Sequence, residues 1–113
     1  KALEDYNATI RLDPVRSMAY NNKAWILATS ANAAMRDGDE ALATAKRAYD
    51  LAKNPKRYDV LDTLAAAHAS VGQYEQAVDF QLKAIEKAAL NAEAPLLERL
   101  EMYRNNKPYR ASD

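Results

Sequence analysis

Chemistry in this chain would have to come from very few residues. A single histidine, His68, stands two positions before Ser70 in AAAHAS, and cysteine is absent. Residues two apart on a helix do not face each other, so His68 and Ser70 do not form a base–nucleophile pair. The lack of cysteine removes thiol catalysis, a disulfide framework and any Cys-ligated zinc or iron–sulfur centre. One histidine alone makes a poor transition-metal set, and the HExxH, GxGxxG and GxxxxGK[ST] patterns are missing. The expectation is no enzyme, no cofactor and no metal.

Binding to charged partners is equally unsupported. The 16 Lys and Arg balance the 16 Asp and Glu, so no global field favours nucleic acid or an anionic membrane. Lys56 and Arg57 beside Tyr58 read as ordinary solvated charge, not as an RNA patch. No apolar run approaches the roughly 20 residues that span a bilayer. Neither nucleic acid nor membrane is therefore an expected partner. The compartment stays open.

Ala, Leu, Glu, Lys, Gln and Arg dominate, and no stretch alternates like a half-buried strand, so the chain reads as all-α. Pro14, Pro55, Pro95 and Pro108 punctuate it, and Gly38 and Gly72 divide the first two long segments into helix–turn–helix pairs. This predicts six helices, over about 1–12, 15–30, 39–52, 57–71, 74–90 and 95–105, with Asp39 the N-cap of the third. The end NNKPYRASD, polar and broken by Pro108, is expected to be extended or frayed.

The segments repeat. Ala2-Leu3, Ala41-Leu42 and Ala77-Val78 each open a helix. Seven positions on come Thr9, Ala48 and Ala84, then a large apolar residue, Ile10, Tyr49 or Ile85. The opening alanines lie 39 and 36 residues apart. Small residues at these points let the two helices of a pair approach closely.

This pattern resembles the tetratricopeptide repeat, a helix pair of about 34 residues. Leu61, Leu64, Ala65, Gly72, Tyr74, Ala77 and Ala84 match one repeat, and Tyr20, Ala24, Leu27, Ala41 and Ala48 match the one before it. Ala2, Tyr6 and Asp13-Pro14 match the second helix of a truncated first repeat. The departures are specific. Phe80 stands one place early and Gln81 takes the aromatic position, His68 replaces Tyr, Ala89 replaces the closing proline and Lys23 replaces Leu. TSANAAMRDG adds about five residues between the helices of the earlier repeat. NNKAWILAT, VLDTLAAAHASVGQYEQAV and RLEMYRNNKPYR look like the last repeats of certain bacterial members, in which a short helix (here PLLERLEMYRNN) caps the stack.

The resemblance implies a right-handed α-solenoid of antiparallel helix pairs with a C-terminal capping helix. It divides the chain into a half repeat (1–16), repeats at 17–55 and 56–91, a cap at 92–106 and a tail at 107–113, as a fragment of a longer protein. It also implies a concave face for a protein or peptide, lined by Asn21, Asn22, Trp25 and Thr29 in one repeat and by Asp59, Asp62 and Thr63 in the next. In that role the asparagines would bond an extended backbone and Trp25 would anchor an apolar side chain. The competing reading packs Trp25 under TSANAAMRDG. Asp59 and Asp62 stand where carboxylate-clamping members carry basic residues, which argues against such a ligand, and Asp59 suits a helix N-terminus. The expected function is a non-catalytic protein–protein interaction scaffold. The alternative is an architectural segment that ends a longer array or self-associates through the truncated first repeat.

Overall fold

The computed structural model describes residues 2–13, 15–52 and 57–111. Lys1 at the start of the first expected helix, Pro14 and Pro55 among the punctuating prolines, and Lys56 of the basic pair lie outside the described residues. The described residues form an all-helical chain: α1 (Ala2–Leu12), α2 (Ser17–Thr29), α3 (Gly38–Leu51), α4 (Tyr58–Ser70), α5 (Tyr74–Lys87) and α6 (Glu93–Arg104), with a 3-10 turn (Leu90–Ala92) before α6.

Each helix packs on the next, and α2 also packs on α4. The α2–α3 pair is antiparallel. Ser17 Oγ at the start of α2 donates to Ala48 O near the end of α3 at 2.8 Å, and Asp37 N before α3 donates to Leu27 O near the end of α2 at 2.9 Å. The close approach rests on alanine: Ala24, Ala41, Ala48, Ala65, Ala77 and Ala84 are all fully buried. Ala2, in the corresponding place on α1, is exposed, and α1 buries no residue completely.

Helix α4 explains the architecture. Every residue from Val60 to Ala69 is buried, polar ones included, so this helix is enclosed on all sides. That is why VLDTLAAAHA shows no polar stripe: a helix covered all round has no water-facing side to mark. Its C-terminus is a Schellman motif. Gln73 N bonds His68 O at 2.9 Å, Gly72 N bonds Ala69 O at 3.0 Å, and Gly72 takes φ 82°.

Three residues that depart from the repeat pattern have structural partners. Lys23 pairs with Glu40 at 3.4 Å, tying α2 to α3. Gln81, fully buried, donates from Nε2 to Leu96 O at 3.0 Å and so joins α5 to α6. His68 stacks on Phe80 with centroids 5.4 Å apart, Phe80 meets Tyr49 edge-on at 6.1 Å, and His68 Nδ1 lies 2.7 Å from Gln73 Oε1. The histidine is thus held in an aromatic contact among α3, α4 and α5.

The N-cap of α3 is Asp37, not Asp39. Asp37 Oδ1 accepts from Glu40 N at 3.1 Å, and the helix begins at Gly38. Gly38 is small because of what it abuts. A Cβ there would stand 2.9 Å from Val71 Cγ1 and 3.1 Å from the Ser70 carbonyl oxygen. Alanine at an ordinary helical glycine stabilises by about 1 kcal/mol. Here overpacking against backbone should reverse the sign, and Gly38→Ala should lose about 1–2 kcal/mol in urea unfolding.

Candidate functional site

The face shared by α2 and α4 is built around one charge. Asp62 lies in the middle of the enclosed helix, and burial raises the pKa of its carboxyl above the ordinary carboxylate range, partly offset by the adjacent Arg99 guanidinium and by a hydrogen bond from Gln81. A buried carboxylate needs a partner. Arg99, reaching over from α6, supplies a bidentate one: Nε to Oδ1 at 3.0 Å and Nη2 to Oδ2 at 2.9 Å. Burial acts to lower the pKa of Arg99, but the bonds and charge of Asp62 outweigh it and raise the value. Geometry decides for an ion pair, because both oxygens are engaged by a guanidinium that stays charged.

The guanidinium serves a second purpose. It lies 5.2 Å from the ring centre of Trp25 on α2 and 5.1 Å from that of Tyr109, within cation–π reach of both. The two rings are tilted against each other with centroids 5.8 Å apart. Asp62, Arg99, Trp25 and Tyr109 therefore form one continuous cluster across α4, α6, α2 and the tail. Tyr103, fully buried beside it, has its phenol pKa pushed well up, by burial first and then by the charge of Asp62. Tyr103 Oη, Gln81 Oε1 and Asn21 Oδ1 find no hydrogen-bond partner among the described residues.

The tail is not frayed over its described part. A second Schellman motif ends α6: Lys107 N bonds Met102 O at 2.9 Å, Asn106 N bonds Tyr103 O at 3.0 Å, and Asn106 adopts φ 57°. The chain then turns back over α4, where Tyr109 packs against the cluster of Ala65, Ala69, Ala77 and Tyr103. It ends on α2. Arg110 Nη1 donates to Ala28 O at 3.3 Å, and Ala111 N donates to Thr29 O at 2.8 Å.

This arrangement fixes where the residues named from sequence stand. Asn21, Thr29, Asp62 and Thr63 are buried, while Asn22, Trp25 and Asp59 are half-buried. Trp25 lies against Tyr109 and Arg99, and its buried part packs on the core cluster that includes Ala24, Leu27 and Ala28. Thr29 Oγ1 turns inward onto Trp25 O at 2.7 Å, and its carbonyl takes the tail. Asp59 pairs with Arg57 at 3.1 Å, and its charge adds a smaller upward push on the Asp62 carboxyl. Sequence reasoning passed over Arg99, Tyr109 and Arg110. The available signal was Asp62 itself, since a carboxylate inside an otherwise apolar helix requires a cation from elsewhere.

Among the described residues no three of His, Cys, Asp and Glu come together as a metal set, and no helix is long and apolar enough to cross a membrane. In comparisons with known proteins, no family model, no curated protein and no solved structure matches the chain.

Removing one member of a buried pair strands the other. Asp62→Ala and Arg99→Ala should each lose about 3–5 kcal/mol of stability. Asp62→Leu combined with Arg99→Met should lose much less than either, because neither charge is left without its partner. Chemical denaturation of the three variants checks the ordering.

Proposed function

We propose that this chain is a tetratricopeptide-like α-solenoid segment that works as a non-catalytic protein–protein interaction scaffold, taking an extended peptide on the α2–α4 face. One observation carries the reading. That face already holds a non-helical segment of chain by the means a peptide groove uses, a main-chain bond (Ala111 N to Thr29 O, 2.8 Å) and an aromatic contact on Trp25. The repeated burial of alanine at matching places on α2, α3, α4 and α5 supports the repeat assignment.

A second reading has its own observation. Leu96, Leu100 and Tyr103 of α6 are buried, so α6 acts as a cover, and the segment would then be the architectural end of a longer array. On this reading, deleting residues 95–113 exposes α5 and the chain aggregates.

Selection from a display library of random extended peptides against the full chain separates the two. The interaction reading expects enriched peptides that change the fluorescence of Trp25, the only tryptophan. Their affinity should fall about tenfold in Asn22→Ala, roughly 1.4 kcal/mol, with the melting temperature unchanged. No enrichment, or binding indifferent to both readouts, would leave the architectural reading.

A further inference from the structure

A helix leaves its last four carbonyls without partners inside the helix. In α2 those are Ile26, Leu27, Ala28 and Thr29; the C-cap residue meets the first and donors from further along the chain meet the other three. Ser30 N reaches Ile26 O at 3.0 Å and Asp37 N reaches Leu27 O at 2.9 Å. The other two are met by the tail, through Arg110 Nη1 on Ala28 O at 3.3 Å and Ala111 N on Thr29 O at 2.8 Å. Arg36 Nη1 completes the end of the helix by bonding Ser30 O at 2.8 Å. The tail is thus a C-cap supplied in trans along the chain, from 82 residues away in the case of Arg110.

What the tail brings is a short, specific set of groups. An aromatic ring sits on Trp25 and the Arg99 guanidinium, the next residue offers a cation to the negative end of the α2 dipole, and the next offers a backbone N–H. Nothing in that set depends on belonging to this chain. It is attached weakly by comparison with its neighbour. Leu96, Leu100 and Tyr103 of α6 are at most 4% exposed, whereas Tyr109, Arg110 and Ala111 are only half-buried. The link between them is the two-residue turn at Asn105 and Asn106, where the positive φ of Asn106 lies. The Lys107 N–Met102 O bond closes that turn and caps α6, and beyond it residues 108–111 meet α6 through Tyr109, on Arg99 and Tyr103.

We propose that residues 108–111 are a displaceable occupant of the α2–α4 groove, and that the groove's external partner is an extended protein segment carrying an aromatic residue followed by arginine. This rests on the interaction reading above. Binding is then a competition: the partner replaces the Tyr109 ring on Trp25 and takes over the Ala28 and Thr29 carbonyls. Apparent affinity is reduced by the fraction of molecules with the tail out.

The test uses the full chain, as wild type and as Tyr109→Ala/Arg110→Ala, with circular dichroism to check that the helices are intact. The probe is a labelled synthetic peptide, NKPYRASD, with a control in which its Tyr and Arg are alanine. The double variant should show red-shifted Trp25 emission that the peptide restores, and should bind the peptide at least about tenfold more tightly than wild type. The control peptide should bind neither protein. Equal affinity for wild type and variant would overturn the competition while leaving the groove as a peptide site. No binding to a folded variant would overturn the aromatic–arginine chemistry, and peptides still enriched from the library would then keep the interaction reading alive. Dimerisation of wild type that the double variant loses in sedimentation would overturn the external partner in favour of a second copy's tail.

Discussion

The Asp62–Arg99 pair is the constraint on which the rest of this structure depends. A carboxylate in the centre of an enclosed helix is costly to bury, and only a cation with matching geometry offsets that cost. Meeting it fixes α6 over α4, because Arg99 must reach both Asp62 oxygens. Once fixed, the same guanidinium presents its face to Trp25 and Tyr109. The tail finds its seat there, and the seat aims Arg110 and Ala111 at the carbonyls that α2 leaves open. One ion pair thus couples α2, α4 and the C-terminal stretch of α6 and tail, which are far apart in sequence.

The cluster has two tiers of strength. Burying Leu96, Leu100 and Tyr103 contributes about 1.5–3 kcal/mol for each side chain, which holds α6 firmly. The tail contributes an aromatic pair, a shared cation–π contact and two hydrogen bonds, each about 1 kcal/mol, and it must order a flexible end to make them. Local opening therefore begins at the tail and stops at α6. That difference is what allows a groove to be filled in one state and open in another without loss of the fold.

How much of this was legible in the sequence depends on the range of the interaction that decides each feature. Local rules place the helices well: Gly72 marks a Schellman turn because only a residue tolerant of positive φ fits there, and the alanine spacing marks the close helix contacts. The sequence points to Asp39 in place of Asp37 because both are acidic residues flanking Gly38. The choice lies with the Glu40 amide, and the size of Gly38 with Val71 and Ser70 on another helix. The tail failed for a deeper reason. NNKPYR is polar and proline-broken, which ordinarily means fraying, and only the distant pairing of Trp25 and Arg99 makes a site for Tyr109. Likewise Asp62 looked like a surface carboxylate on a groove because enclosure of α4 is a property of the whole assembly, not of VLDTLAAAHA. The tail and Arg99, which cover Trp25 and Asp62, come from residues with no periodic signal.

The central claim is that the tail lies on Trp25 in the folded chain. Nuclear Overhauser spectroscopy of the full-length chain, with amide hydrogen exchange read in the same sample, tests it most directly. Cross-peaks between the Trp25 indole and the Tyr109 ring are expected, with a protected Ala111 amide. Both should be lost in Arg99→Ala if that variant stays folded. Absence of the cross-peaks in the wild-type chain, with Ala111 exchanging at the rate of an unstructured peptide, would contradict it.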